Sequence, residues 1–248
     1  MHQPAVEVTD LTKSFGGVHA IAQVSMAVPA GQRRAIIGPN GAGKTTLFNC
    51  ITGSLSPTEG RVILFGEDVT RLPEHRRTAL GLGRTFQITN VFHELSVMEN
   101  VLLAVNGTSP RKWIMHRSVD SYGGDRKQAG EFLELVGLDR RADTSVRHLS
   151  YGERRQLEIV LALASEPRVV LLDEPASGLS PGERQNMAAI IKDLPRDITI
   201  ILIEHDMSIV LGLADQVTVL NHGSLLLEGT PDEIQANPKV REVYLGKA

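Results

Sequence analysis

A second cysteine is missing from this chain of 248 residues, and with it any internal disulfide; the lone thiol, Cys50, fits a reducing cytoplasm. Also missing is any apolar run near the roughly 18–20 residues that span a bilayer. The opening MHQPAVEV has no basic segment followed by an apolar one, so no signal peptide is expected. Strong charge of either sign is absent: a net −3 gives no global nucleic-acid signature and leaves only a local basic patch open. What remains is 42% apolar and 22% charged, the balance of a globular protein able to bury a core as one large domain or two small ones. The expectation is a soluble cytoplasmic chain, with Cys50 a small buried apolar group.

The most informative stretch is GPNGAGKTT, Gly38–Thr46, which fits G-x-x-x-x-G-K-[ST] at Gly38, Gly43, Lys44 and Thr45. Glycines let the backbone close on a phosphate chain, so that the amides of the run through Pro39, Asn40, Gly41 and Ala42 can point inward. The start of a helix adds a favourable dipole. Lys44 then reaches β- and γ-phosphates, and the Thr45 hydroxyl, followed by Thr46, ligates Mg²⁺. Arg33–Ile37 reads as the strand before this loop and Thr45–Ile51 as the helix after it, the context the motif requires. The sequence therefore points to a nucleoside-triphosphate site.

Short β patterns precede the loop, at Val6 and Val8 and again at Val24, Met26 and Val28, and Arg61–Phe65 follows it as another strand. Phe15, flanked by glycines, offers a flat face to a purine; from this residue alone, a core position under a loop is the stronger reading. Beyond Gly81 the pattern becomes helical. Ser96–Glu99 forms a capping box ahead of Val101–Val105, residues 106–126 are a polar surface excursion around Trp113, and Asp125–Val136 is a helix stopped by Gly137. Ser150-Tyr151-Gly152-Glu153 is a second capping box, whose free amides, hydroxyl and glycine make a second anion site. Arg168–Asp173 is a continuous apolar strand, as in a parallel sheet covered on both faces, and it ends in Asp173 and Glu174. Carboxyl ends of such strands are where ligands bind. Asp173 there suits Mg²⁺ held through water, and Glu174 is placed to polarise the attacking water. Ile198–Ile203 is a further buried strand, ending in Glu204-His205-Asp206, with His205 in reach of a γ-phosphate. Thr230–Glu233 and Asn237-Pro238 cap two short helices that close the chain.

Together these motifs resemble one family, the ATP-binding subunits of ABC transporters, over essentially the whole chain. GPNGAGKTT resembles Walker A, VVLLDE Walker B and LSYGE the family signature; Gln87 matches the Q-loop glutamine, Ser177–Ser180 the D-loop, His205 the switch histidine and Phe15 the adenine-stacking aromatic. No N-K-x-D is present, which disfavours a GTPase. The resemblance implies a P-loop NTPase α/β core with a mostly parallel sheet, an antiparallel β subdomain and an α-helical subdomain. It implies a single ABC ATPase domain over 1–248: core 1–87 and 156–229, helical part with the signature 88–155, and tail 230–248. It further implies ATP and Mg²⁺ as cofactors, with Thr45, Gln87 and Asp173 at the metal and Glu174 as general base. Lys44, Gln87 and His205 complete the catalytic set. Two chains would pair head to tail, so that Ser150, Tyr151, Gly152 and Glu153 serve the partner's ATP. Implied partners are transmembrane permease subunits, a second ATPase subunit and, indirectly, a solute-binding protein, with no nucleic acid, at the inner face of the cell membrane.

Three positions depart from the usual pattern: Tyr151 stands where glycine is common, Glu153 where glutamine is, and Ser180 where aspartate is. RTFQ, LSYGERRQLEI, IEHDM and the ending NPKVREVYLG resemble the branched-chain amino-acid importer type, as does the insert after Val105. The lipopolysaccharide-export ATPase shares GERR but lacks so long an insert. A soluble ABC ATPase usually carries a coiled coil or two ATPase domains, which are absent here.

Overall fold

The computed structural model describes residues 3–85, 91–108 and 123–245. Strands β1 (Pro4–Phe15) and β2 (Val18–Pro29) form a long hairpin, joined on the β1 side by β4 (Glu59–Leu64) and β5 (Glu67–Asp68). This four-stranded sheet, ordered β2-β1-β4-β5, is antiparallel throughout. Val24 and Val28 are wholly buried and Met26 nearly so, so the period-two pattern in the sequence marks one covered face.

The second sheet has the order β10-β9-β3-β8-β7-β6, from β3 (Arg33–Ile37), β6 (Leu82–Arg84), β7 (Val169–Asp173), β8 (Thr199–Ile203), β9 (Gln216–Asn221) and β10 (Ser224–Gly229). All neighbours are parallel except the β9–β10 hairpin at one edge. Alternate residues of its central strands join different cores. Ala35, Ile37, Val170, Leu172, Ile200 and Leu202 pack with the helices of one face. Ile36, Val169, Leu171, Ile201 and Ile203 pack with α1 (Lys44–Thr52) and the antiparallel sheet on the other. Burial on both faces explains why β3, β7 and β8 lack alternation in the sequence. A mostly parallel core with an antiparallel β layer is the architecture expected.

The helical face carries α3 (Val97–Thr108), α4 (Gly123–Val136) and α5 (Tyr151–Leu163), followed after β7 by α6 (Pro181–Asp193). A short α2 (Glu74–Ala79) precedes β6, and α7 (Met207–Leu213), α8 (Pro231–Ala236) and α9 (Pro238–Leu245) complete the chain. The Ser96–Glu99 capping box forms reciprocally, Ser96 N–H donating to Glu99 at 2.7 Å and Glu99 N–H to the Ser96 hydroxyl at 3.2 Å. Gly137 ends α4 with φ +74°. Most of the excursion at 106–126, with Trp113, lies outside the described residues, as does Gln87. Cys50 is fully buried on α1, and burial pushes its thiol up to about 11, so it is inert packing.

Candidate functional site

Three loops leave the carboxyl ends of β3, β8 and β7. The first is the glycine loop. Gly43 has φ +99°, and a side chain there would meet the Ile21 side chain and the Ala20 carbonyl, so the turn into α1 is open only to glycine. Ala42 N–H closes the loop on Pro39 O at 3.1 Å, and Gly223 N–H buttresses Ala42 O at 3.1 Å. Gly38 is buried, whereas Asn40, Gly41 and Thr45 are exposed, with Pro39 and Thr46 half-buried. Helix α1 has no side-chain cap at its N-terminus and no acidic residue in its first turn. By contrast α5, α6 and α8 all start with reciprocal capping boxes. Its first amides and dipole are thus left for an external anion.

Lys44 is buried, its ammonium donating to Gly38 O at 2.7 Å and Pro39 O at 3.1 Å. Burial lowers its pKa, against the opposing fields of Glu174 and Asp173. Those fields put the end of β7 beside the loop, although β8 lies between the two strands. Asp173 is 3% exposed, and among the described residues neither carboxylate oxygen has a hydrogen-bond partner. Burial raises its pKa, with Arg84 opposing the shift and Glu174 adding to it. Its nearest cation is Arg84, 3.9 Å away. An orphaned buried carboxylate beside a phosphate loop fits a divalent cation reached through water. Among the described residues there is no group of three or more His, Cys, Asp or Glu that could hold a metal ion.

Glu174 is half-buried and in the left-handed region at φ +48°, a conformation that costs a non-glycine residue about 1–3 kcal/mol. It persists because the backbone around it is over-determined. Its N–H donates to Ile203 O at 3.0 Å, and its carbonyl accepts Ser177 N–H at 3.0 Å. Glu204, 1% exposed at the end of β8, accepts Ala176 N–H and His205 N–H, each at 3.2 Å. His205 follows it, exposed, at the same end of the sheet.

The Ser150 capping box is formed, Glu153 N–H donating to Ser150 Oγ at 3.1 Å and Ser150 N–H to Glu153 at 2.8 Å, so the hydroxyl and these amides, expected to be free for an anion, are paired within the chain. Glutamate in place of glutamine does this well. Partial burial works against the Glu153 charge, but Ser150 and Arg141, the latter donating at 2.9 Å, hold its carboxyl below the usual range. Gly152 is buried against the Glu183 carboxylate, so the signature lies on the head of α6. Ser180 caps α6 through its own box, a role aspartate would fill equally.

Phe15 corrects one expectation: it ends β1 and is 51% exposed, so it is not a core residue, and the Lys13 ammonium lies over its ring, 5.1 Å from the centroid. Two contributors escaped the sequence reading. Arg84 donates to Thr52 Oγ1 at 3.2 Å and Ser54 Oγ at 3.1 Å while facing Asp173, and the Thr85 hydroxyl accepts Asp173 N–H at 3.3 Å. The only signal for either is their place just before Gln87.

Comparison with known proteins agrees with this geometry. Residues 21–177 match the family model described as ABC transporter, and residues 224–248 that described as branched-chain amino acid ATP-binding cassette transporter. The chain is 40% identical over 255 residues to the high-affinity branched-chain amino acid transport ATP-binding protein BraF of Pseudomonas aeruginosa, covering all of both chains. It superimposes with TM-score 0.86, at 31% identity, on an ATP-binding cassette of an ABC transporter in its ADP conformation, over 98% of this chain and 99% of that one. A dimeric post-hydrolysis cassette bound to ADP and Pi matches with TM-score 0.77 at 26% identity, over 91% of this chain and 98% of that one. The chain belongs to the ABC transporter family, as one of its ATP-hydrolysing cassettes.

Proposed function

We propose that this chain is the ATPase subunit of an importer for branched-chain amino acids or closely related solutes. The observation that carries the catalytic part is the convergence of an uncapped α1, buried Lys44, orphaned Asp173 and strained Glu174. The importer reading, over lipopolysaccharide export or a soluble role, is supported by the printed names of the relatives and by the match over the tail.

In this reading Phe15 stacks on adenine, and Gly38–Thr46 with Lys44 hold the phosphates. Thr45, Gln87 and Asp173 would hold Mg²⁺, which when bound would supply positive charge to neutralise the phosphates. Glu174 accepts the proton of the attacking water, and His205 orients the γ-phosphoryl group. Ser150 and Gly152 serve the ATP of a second ATPase subunit, which supplies its own signature in return.

The helical part, 88–155, faces the permease. A cavity of about 250 Å³ opens there between Arg84, Thr85 and α3, with Phe92 60% and Leu103 47% exposed at its walls. An apolar side chain on a cytoplasmic loop of the permease fits this cleft, and a solute-binding protein acts on the far side. No helix among the described residues is long and apolar enough to cross a membrane, so attachment to the inner face rests on that contact.

The test is a mild-detergent pull-down of the tagged chain from its native membranes, with Glu174→Gln alongside. Multi-span permease subunits and a second ATPase are expected, and the variant should bind ATP while turnover falls at least about 100-fold. Recovery of lipid-export partners, or normal turnover in the variant, would reject the corresponding half of the proposal.

A further inference from the structure

The residue that departs most from the usual signature, Tyr151, contacts the turn after β7. Its hydroxyl donates to the Ser177 carbonyl at 3.2 Å. Its ring edge packs on Gly178, where an added Cβ would sit 3.1 Å from the ring. That turn is the one that carries Glu174: Ser177 N–H closes it on the Glu174 carbonyl at 3.0 Å, with Glu174 at φ +48°. The tyrosine is itself held in place. Arg155, one turn along α5, donates to the phenol oxygen at 3.1 Å with its guanidinium 5.3 Å from the ring centroid, and it pairs with Glu158 at 2.8 Å. Glu158 in turn lines the cavity of about 250 Å³ beside α3. A second contact from the same end of α5, Gly152 against Glu183, brings it onto the head of α6, which follows that turn. A glycine at 151 could make none of the side-chain contacts.

We propose that Tyr151 is a positioning residue for hydrolysis, tethering the signature end of α5 to the turn that holds Glu174. The inference rests on the function proposed above. The signature serves the partner's nucleotide and Glu174 serves this chain's own, so one phenol links the two half-sites within a single chain. The resemblance puts Tyr151 with Ser150 and Gly152 at the partner's ATP, but its hydroxyl is turned to Ser177 of its own chain, so it acts through that turn while Ser150 and Gly152 serve the nucleotide. When the tether is absent, the turn relaxes from its strained form and Glu174 spends less time aligned on the water. Binding of ATP, which draws on Gly38–Thr46 and Phe15, is unaffected.

Tyr151→Phe keeps the ring on Gly178 and removes only the hydroxyl. In the transporter purified with its membrane partners, kcat should fall about five-fold, the scale of one net hydrogen bond, with KM for ATP unchanged. A purely structural role would not produce that split. In a Glu174→Gln background the same change should leave the residual hydrolysis rate unaltered, because the aligned group is already gone. A raised KM with unchanged kcat would mean that the phenol meets nucleotide directly and would overturn the tether. So would wild-type kinetics for Tyr151→Phe beside an inactive Glu174→Gln. Near-normal turnover in Glu174→Gln alone would instead reject the general-base reading beneath it.

Discussion

Asp173 shows how a functional residue can oppose the fold that holds it. Burial raises its pKa, and Glu174 adds to the shift while Arg84 and Lys44 resist it. A carboxyl whose pKa is higher folded than unfolded favours the folded state fully below the ordinary aspartate value. That contribution is lost as pH rises through the folded value. At neutral pH the ionised carboxylate, with Arg84 3.9 Å away offsetting its burial only in part, is therefore a net cost. Asp173→Asn should stabilise the nucleotide-free chain at pH 7 by about 0.5–2 kcal/mol, read as a higher urea midpoint at unchanged slope. The gain should vanish near pH 3, where the wild-type carboxyl is also neutral, and Mg²⁺-dependent turnover should be lost throughout. Glu204 raises a related question with a different answer. Burial raises its pKa too, but the amides of Ala176, His205 and Asp206 oppose the shift, so its oxygens are occupied. Glu204→Ala would orphan the buried Ala176 N–H and should destabilise the chain by about 1–3 kcal/mol. Lys44, Asp173 and Glu174 were legible in the sequence because each sits at a fixed place in a local pattern. Arg84, Thr85 and Glu204 were not, because what they do depends on partners far along the chain. Phe15 was ambiguous for the same reason: a ring at the end of β1 is open or covered according to what packs over it.

At the scale of elements, the two ends of α1 are treated differently. Its N-terminus is left without a cap, whereas its C-terminus is held by the fully buried Arg77. That guanidinium donates to Cys50 O at 2.7 Å and Ile51 O at 2.8 Å, and also to Leu72 O and Thr70 O. The last turn of the phosphate-loop helix is thus joined to the loop before α2. Arg77→Ala should leave two helix carbonyls unmet inside the protein and lower stability by about 2–4 kcal/mol in urea unfolding. Loss of less than about 0.5 kcal/mol, the level of an ordinary surface change, would show that water replaces the guanidinium. Neither Arg77 nor α2 stands out in the sequence, since EHRRTA has no apolar face and nothing in it separates the buried Arg77 from its neighbour Arg76. The elements that could be read were those whose burial pattern is unmistakable, β3, β7 and β8, and those opened by caps. The β9–β10 hairpin and, despite its Ser180 cap, α6 were harder: β10 is half-exposed along its length, and α6 buries only Met187, Ile190 and Ile191.

At the scale of the whole molecule, the proposed function makes the site complete only when two cassettes meet. The signature at the head of α5 lies on α6 and the turn after β7, and in the proposed arrangement it faces the ATP of a second cassette. Closure on ATP would then depend on contacts made far from the helical face, while the permease reads that closure through the cleft beside α3. The cleft wall separates the two jobs. Leu103 is 47% exposed and belongs to α3, not to any of the three loops around Lys44 and Asp173. Leu103→Glu places a carboxylate that would have to be desolvated against an apolar side chain of the permease, a mismatch that costs several kcal/mol. The variant should lose co-purification with the permease subunits yet bind ATP with unchanged affinity, measured by fluorescence titration of the isolated chain. Retained co-purification would move the docking surface away from α3. Weakened ATP binding would show that this face and the phosphate loop are not independent, against the division of labour drawn here.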